Sequence, residues 1–215
     1  MNRRSSEHTF YARDSVHSLP PMTWPGGKPL ALALVVSAEY YELYPPETAF
    51  TPPNVPGGFG RGPYPDYRAF SMREYGNRIG AFRLMNVIAD AGMKATLAAD
   101  GSVAQTRSEV VRAALSLGWD IAGHGVSVTE VISEHLTEAQ ERDYLQRALE
   151  PLRALTGARI CGWHGAEYAE STRTLTLLVE EGIDYVLDWP HDERVVPMST
   201  PSGSILSLPM SADLD

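Results

Sequence analysis

Residues 118–125 read Gly-Trp-Asp-Ile-Ala-Gly-His-Gly, a stretch that combines a helix end, a short strand and a histidine. A helical pattern that Thr106 and Glu109 are predicted to cap stops at the first of these glycines. Ile121–Gly123 is the predicted strand, and His124 follows it between two glycines. The order helix, glycine, strand, polar residue is typical of parallel β-α units, in which the glycine adopts the left-handed conformation beyond the helix.

The same order recurs on both sides of this stretch. Ser71 with Glu74 and Thr137 with Gln140 are predicted to cap two more helices, and a fourth helix is predicted near residues 171–181. Pro151 is expected to kink or split the helix that begins at Thr137. With Ile121–Gly123, the sequence predicts six strands, the others being Leu30–Val36, Ala95–Ala99, Ile160–Trp163, Tyr185–Leu187 and Ser204–Leu208. The predicted fold class is therefore α/β with parallel strands.

Length and composition limit the kinds of protein that this chain can be. It has 215 residues, 43% of them apolar and 21% charged, which is ordinary for one globular domain. A formal charge of −9 makes nucleic acid and anionic membrane surfaces unlikely partners. The single cysteine, Cys161, excludes an internal disulfide and a multi-cysteine zinc site. With no spanning segment and no secretory signal, we expect a cytoplasmic protein with a small-molecule substrate.

The domain organisation is predicted from local composition. Residues 1–28 are polar and rich in turn formers, so they are predicted to form an N-terminal arm. Residues 29–215 carry the alternating pattern and form the main domain. Within it, residues 44–67 are rich in proline and glycine but include four aromatic residues, which favours a packed or substrate-covering loop.

Candidate functional residues lie where the predicted strands end. In parallel α/β folds the carboxyl ends of the strands meet at one edge, and sites form there. Charged, imidazole, indole and hydroxyl side chains that are sparse within the strands appear at or near these ends. They are Ser37, Glu39, Asp100, His124, Trp163, His164, Asp188, Trp189, His191 and Asp192.

Each candidate also has a purely structural interpretation. Glu39 fits a cap of the next turn equally well, and either aspartate of the fifth strand's loop fits a bond to loop amides. His164 and His191 also fit an exposed loop. His124 is the strongest functional candidate, because flanking glycines allow a ligand to approach closely. Cys161 fits a small buried side chain rather than a nucleophile.

The ordered set of stretches resembles one superfamily along nearly the whole chain. The stretches are Arg73-Glu74-Tyr75-Gly76-Asn77-Arg78, Arg83-Leu84, residues 118–125, Gly162-Trp163 and Tyr185-Val186-Leu187-Asp188-Trp189. Together they resemble the polysaccharide deacetylase superfamily (NodB homology, carbohydrate esterase 4), and most closely its branch of allantoinases and cyclic imide hydrolases. The resemblance implies an incomplete (β/α) barrel over residues 29–215.

The resemblance also bears on metal binding. In metal-dependent members an aspartate base, an aspartate ligand and two histidines form the site. Here these positions match Ser37, Glu39, His124 and Val128, so the usual base and one ligand are absent. Catalytic zinc normally takes three protein ligands. We therefore expect either no cofactor or a single zinc-like divalent metal, held by Glu39 and His124.

The function expected from the resemblance is hydrolysis of a non-peptide C–N bond in a small cyclic amide, imide or ureide. Glu39 would activate water, His124 would donate a proton or polarise the carbonyl, and Asp188 would orient His124 or a substrate N–H. Backbone amides near His124 would stabilise the oxyanion. The expected substrate-binding residues are Trp163, His164, Trp189, His191 and Asp192.

Two alternatives remain open from the sequence. Ser37 and Val128 also fit a catalytically weakened relative that binds a ligand or completes a partner subunit. A metal-dependent N-acetyl sugar deacetylase is the other alternative. The last predicted strand would leave an open sheet edge, so we expect a homo-oligomer.

Overall fold

A seven-stranded, mostly parallel sheet forms the centre of the protein. The computed structural model describes residues 8–51 and 64–210. Across the sheet the strands follow the order β1 (Val35–Ala38), β2 (Thr96–Ala99), β3 (Asp120–Gly123), β4 (Gly162–Trp163), β5 (Tyr185–Val186), β7 (Gly203–Ser207) and β6 (Val196–Thr200). All neighbours pair in parallel except β6 and β7. The sheet does not close between β1 and β6, which confirms the predicted incomplete barrel.

The predicted number of six strands is wrong by one. The last predicted strand corresponds to β7, but β6 precedes it and pairs with it in an antiparallel hairpin. Pro197 lies inside β6, and proline argues against a central strand because it cannot donate to a ladder. Here the proline is tolerated because β6 is an edge strand. The hairpin also covers the edge of β7 that was expected to be open.

Helices pack against the sheet between successive strands. A continuous helical segment runs through α1 (Tyr67–Tyr75), a π-helical turn (Gly76–Gly80) and α2 (Ala81–Asp90). The remaining helices are α3 (Gly101–Thr106), α4 (Ser108–Ser116), α5 (Glu138–Thr156) and α6 (Thr174–Glu180). No helix in the described ranges is long and apolar enough to cross a membrane.

Two of the predicted helix starts are wrong, and one is confirmed. Ser71 lies inside α1, where its hydroxyl donates to Arg68 O, and the helix is capped by Asp66 instead. Thr106 likewise ends α3, with its hydroxyl bonded to Ser102 O. Both hydroxyls bond back into their own helix, which a sequence pattern cannot distinguish from a cap. Thr137 forms the predicted reciprocal capping box with Gln140.

The helix α5 continues through Pro151 without splitting. A proline removes the hydrogen bond to the carbonyl four residues earlier, here Arg147 O. The Gly101 backbone packs against that carbonyl so closely that an added Cβ would lie 2.5 Å from it. The core around α5 is fully buried and includes Leu97, Val110, Leu145, Leu149 and Leu178.

The N-terminal arm is packed onto the main domain where it is described. Ser199 N donates to Phe10 O at 2.7 Å, and the Phe10 and Tyr11 rings contact Trp189 edge to face. Of the predicted loop at 44–67, residues 52–63 lie outside the described residues.

Candidate active site

Two candidate residues that are far apart in sequence meet at the carboxyl end of the sheet. Glu39 follows β1 and His124 follows β3, and their Oε1 and Nε2 atoms lie 3.3 Å apart. The strand between them, β2, is followed by Asp100, so the three side chains come from adjacent strand ends. His124 is 4% exposed, whereas the Glu39 side chain remains 32% exposed. The carboxylate is therefore the more accessible member of the pair.

The second nitrogen of His124 fixes where its proton lies. His124 Nδ1 is 2.5 Å from His164 O, and a carbonyl oxygen can only accept, so Nδ1 carries a hydrogen. In a neutral ring Nε2 would then present a lone pair to the Glu39 carboxylate. The contact is attractive only if one proton lies between Nε2 and Oε1. The pair accordingly holds one proton in addition to the one on Nδ1.

The electrostatics place that proton on the histidine. Burial alone would raise the pKa of Glu39, but the hydrogen bond and charge of His124 outweigh it and hold the pKa below its usual range. Burial alone would lower the pKa of His124, but the hydrogen bond and charge of Glu39 raise it above its usual value. Between these two folded pKa values the pair is a carboxylate beside an imidazolium.

Tyr41 of the loop after β1 and Asn77 of the π turn hold Glu39 in place, and sequence reasoning assigned them no role. Tyr41 Oη donates to Glu39 Oε2 at 2.8 Å, and the Arg73 guanidinium lies 3.7 Å from the centre of the Tyr41 ring. Asn77 Nδ2 donates to Glu39 O at 2.8 Å. Two spacings in the sequence could have indicated these residues. Tyr41 lies two residues after Glu39, and Asn77 lies four residues after Arg73, so each pair can face the same side.

Asp100 positions the chain after β1 rather than facing a substrate. It is fully buried, and its two oxygens accept from Tyr40 N at 2.6 Å and Val103 N at 2.7 Å. The first bond fixes the residue next to Glu39, and the second caps α3. Burial raises the pKa of Asp100 to about 7 despite these hydrogen bonds.

Asp188 contacts His164, not His124 as the sequence suggested. Its Oδ1 accepts from Gly165 N at 2.7 Å and lies 3.1 Å from His164 Nδ1. The link to His124 is indirect, because the same His164 residue supplies the carbonyl for His124 Nδ1 and stacks its ring on His124 at 4.8 Å. His164 therefore connects Asp188 to His124.

A second carboxyl group lies against Asp188. Burial and the charge of Asp188 raise the pKa of Glu170 to about 8. Trp189 Nε1 donates to Glu170 Oε1 at 2.9 Å. Asp188 Oδ2 is buried and has no donor among the described residues. A raised pKa keeps the proton on Glu170 up to higher pH, and a protonated carboxyl group can donate to such an acceptor.

Of the predicted substrate-binding residues, only His164 lies against the Glu39–His124 pair. Trp163 is fully buried and packs against Gly123, so it has no surface with which to contact a substrate. Trp189 and His191 pack with the arm, His191 stacking on Tyr11 at 4.5 Å. Asp192 Oδ1 accepts from the backbone N–H groups of residues 193 and 194 in its own loop. The arm and the loop contact these side chains away from the Glu39–His124 pair, although both ring nitrogens of His191 are buried with no hydrogen-bond partner among the described residues.

A cavity of about 330 Å³ opens beside Glu39, between β1 and the α1–α2 segment. Its polar lining residues are Ser37, Glu39, Tyr41, Arg73 and Asn77, and its apolar lining includes Val36 and Leu84. The volume is at the lower end of the range for small-molecule sites. His124 contacts Glu39 but does not itself line this cavity.

The donor set does not fit a three-ligand metal centre. Among residues 8–51 and 64–210 no group of three or more His, Cys, Asp and Glu side chains is arranged to hold a metal. Val128, at the second histidine position, is buried and offers only an alkyl group. Glu39 and His124 remain the two candidate ligands, and they are engaged with each other. Glu39 and His124 are the residues that would hold a divalent metal here, which would activate water for attack.

Comparisons with known proteins agree on one family. The family model described as "Polysaccharide deacetylase" matches residues 74–186. A protein from Helicobacter pylori described as "Peptidoglycan deacetylase" is 26% identical over 137 residues, 64% of this chain and 45% of its own length. The chain thus spans under half of that relative.

Two solved structures are similar over nearly the whole chain. One is described as "Puue Allantoinase", with 27% identity and a TM-score of 0.74, covering 95% of this chain and 70% of that one. The other is described as a probable polysaccharide deacetylase from Pseudomonas aeruginosa PAO1, with 28% identity, a TM-score of 0.72, and coverage of 95% and 71%. The two descriptions give different activities to one fold.

Proposed function

Because the chain belongs to the polysaccharide deacetylase family of hydrolases, we propose that it hydrolyses the C–N bond of a small cyclic amide, imide or ureide. The observation that carries this proposal is the contact between Glu39 and His124 at the strand ends. It pairs a base with an acid beside a cavity, as amide hydrolysis requires. The structural similarity to an allantoinase supports the ring-opening class.

The proposed reaction begins with water held by the Glu39 carboxylate. Glu39 takes one proton from the water while its oxygen attacks the amide carbon. The His124 Nε2–H then protonates the leaving nitrogen as the C–N bond breaks. This leaves Glu39 protonated and His124 neutral, and transfer of the proton across the 3.3 Å contact restores the resting pair. The contact is long for a hydrogen bond, and such contacts often tighten only when substrate is bound.

Backbone geometry near His124 limits which amide can stabilise the oxyanion. His124 N already donates to Ala99 O at 3.0 Å, and Val126 N donates to Tyr144 Oη at 3.4 Å. Among the amides of residues 124–126, Gly125 N has no hydrogen-bond acceptor in the described part of the chain. We assign the oxyanion contact to Gly125 N–H, a kind of donor that is typically worth about 2.7–4 kcal/mol in the transition state.

The size and chemistry of the cavity favour a small ring over a sugar chain. A volume of about 330 Å³ accommodates a compact ring, whereas a polymer needs an extended groove. The metal-dependent N-acetyl deacetylase alternative requires the ligand that Val128 replaces. A ligand-binding relative without catalysis is the remaining alternative, and the exposed hydroxyl of Ser37 at the usual base position is the observation that favours it.

One assay separates these functions. The purified protein is incubated with allantoin, hydantoin, succinimide and N-acetylated chito-oligosaccharides, each with chelator and with added zinc. The proposal expects ring opening that persists in chelator, and no release of acetate. Zinc-dependent acetate release would favour the sugar deacetylase. No turnover of any compound, with saturable binding of one ring compound by calorimetry, would favour the ligand-binding relative.

A further inference from the structure

We propose that Arg73 binds a carboxylate carried by the substrate ring, so that the enzyme prefers anionic cyclic amides. This inference rests on the proposed function and specifies the class of its substrate. It follows from the placement of Arg73, a cation without an ion pair among the described residues, at the cavity that Glu39 lines.

Stacking holds the Arg73 side chain at the cavity. Its guanidinium lies 3.7 Å from the centre of the Tyr41 ring, within the range of a cation–π interaction. Tyr41 is itself fixed, because its hydroxyl donates to Glu39 Oε2 at 2.8 Å. The chain Arg73–Tyr41–Glu39 therefore gives the cation a defined position relative to the proposed base.

The guanidinium donors of Arg73 meet no acceptor among residues 8–51 and 64–210. In the part of the chain that the structure describes, the Arg73 side chain makes no hydrogen bond or ion pair, although other arginines pair with carboxylates. Arg107, for example, bonds Glu74 at 2.8 Å. A guanidinium presents up to five N–H donors in a planar fork that matches a carboxylate in two parallel bonds. Arg73 thus offers an unoccupied site for an anionic oxygen pair.

The cavity is electrostatically divided. Glu39 supplies a negative charge at the reacting side, and Arg73 supplies a positive charge across the Tyr41 ring. The reacting carbonyl of the substrate must face Glu39. A substrate carboxylate on that same side of the ring would be repelled by the Glu39 carboxylate. Binding through Arg73 keeps the two negative charges apart. A substrate acid on the far side of the ring fits this arrangement best.

The test compares two hydantoins, of which hydantoin-5-acetate carries a carboxylate on its side chain and 5-methylhydantoin has hydrogen in place of that group. Ring opening of hydantoin-5-acetate and of 5-methylhydantoin is measured with wild type, Arg73→Gln and Arg73→Lys. Arg73→Gln is expected to raise KM for the anionic ring about 10- to 100-fold and leave both constants for the neutral ring within about twofold. Arg73→Lys keeps the charge but not the fork, and should fall between the two.

Two controls make the result decisive. Arg78→Gln removes an exposed arginine from the same helical segment and should change neither substrate. Binding of hydantoin-5-acetate is measured by calorimetry with Glu39→Gln and with the double variant that also carries Arg73→Gln. The double variant should bind the compound about 10- to 100-fold more weakly than Glu39→Gln. That measurement does not need turnover, so it tests Arg73 even if no ring is opened and the proposed function fails.

Three results would overturn the inference. The first is an equal loss for both substrates, which would mean that Arg73 acts through Tyr41 and Glu39. The second is that Arg73→Gln weakens product inhibition equally for both substrates and changes nothing else. That result would mean that Arg73 binds the carboxylate that ring opening creates. The third is unchanged calorimetric binding of the anionic ring.

Discussion

The single proton shared by Glu39 and His124 determines how the site responds to pH. The lowered pKa of Glu39 favours folding above its unfolded value of 4.5, and this contribution is lost as the pH falls through the folded pKa. The raised pKa of His124 favours folding below 6.5, and this contribution is lost as the pH rises through the folded pKa. The ion pair therefore spans the interval between these two folded pKa values, and ring opening should follow the same bell-shaped profile.

Removing the negative charge should reverse the shift of His124. In Glu39→Gln the burial that lowers the pKa of His124 remains, while its largest opposing partner is lost. We expect the pKa of His124 to fall below 6.5, as measured by NMR titration of its Hε1 signal. Tyr41→Phe serves as the control, since it removes a hydrogen bond from Glu39 but keeps the charge. An unchanged His124 pKa in Glu39→Gln would contradict the described pair.

The Glu170–Asp188 pair makes a separate prediction about stability. The raised pKa of Glu170 means that its contribution is present below 4.5 and is lost as the pH rises through the folded pKa. Glu170→Gln keeps an acceptor for Trp189 Nε1 and offers an amide donor to Asp188 Oδ2. The free energy of unfolding is measured in urea from pH 5 to 9. With rising pH it should decrease less in this variant than in wild type.

Glu170→Ala is the matched variant for that measurement. It leaves Trp189 Nε1 and Asp188 Oδ2 without partners, and unsatisfied buried groups typically cost about 1–3 kcal/mol each. It should be less stable than Glu170→Gln at every pH. If both variants have the same pH dependence as wild type, Glu170 does not carry the proton.

At the scale of elements, the turn after β3 connects the fold to the chemistry. Gly125 has a φ of +93°, and a Cβ there would lie 2.3 Å from Tyr144 Oη. Tyr144 also donates to Glu130 O at 2.9 Å, so its hydroxyl is anchored and cannot easily yield. The residue beside His124 is therefore restricted to glycine by both backbone conformation and space.

Gly125→Ala should destabilise the protein and slow ring opening. We expect a loss of about 2–4 kcal/mol in the free energy of unfolding, from the left-handed conformation and the clash together. The control is Gly157→Ala, where φ is +65° but no atom lies within 4 Å of the added Cβ. It should cost about 1–2 kcal/mol and leave kcat unchanged. Equal effects of the two substitutions would remove the steric argument.

The sequence predicted helices and strands more accurately than it predicted their ends. Thr137 with Gln140 and the glycine after α5 are correct because all their partners are local in the chain. Ser71 and Thr106 resemble caps but bond within their own helices. The π turn that carries Asn77 to Glu39 has no pattern of its own, so the residues that hold the carboxylate could not be assigned from periodicity.

On the scale of the whole molecule, the prediction that residues at the carboxyl ends of parallel strands lie together was correct for three of them. It located Glu39, His124 and His164 because the carboxyl ends of β1, β3 and β4 share one edge. The sequence did not predict that the N-terminal arm contacts Trp189, since Phe10 and Tyr11 are far from Trp189 in the chain. Long-range packing of this kind leaves no local signal.

The homo-oligomer predicted from the sequence remains a prediction, with a different structural basis. The edge of β7 is covered by β6, but the segment that leads into edge strand β1 exposes Leu30 and Leu32 at 75% and 69%. Val87 of α2 is 65% exposed as well. We expect a second copy to cover apolar residues of this kind. Size-exclusion chromatography with light scattering tests this, and a stable, active monomer would contradict it.

The central claim is that Glu39 and His124 act as one unit in opening a ring amide. The most direct test is kcat/KM for ring opening in chelator for wild type, Glu39→Gln, His124→Gln and the double variant, with circular dichroism to confirm folding. We predict that each single change costs about 10²–10⁴-fold and that the double change costs little more than either one. Additive losses, or full activity in either single variant, would contradict it.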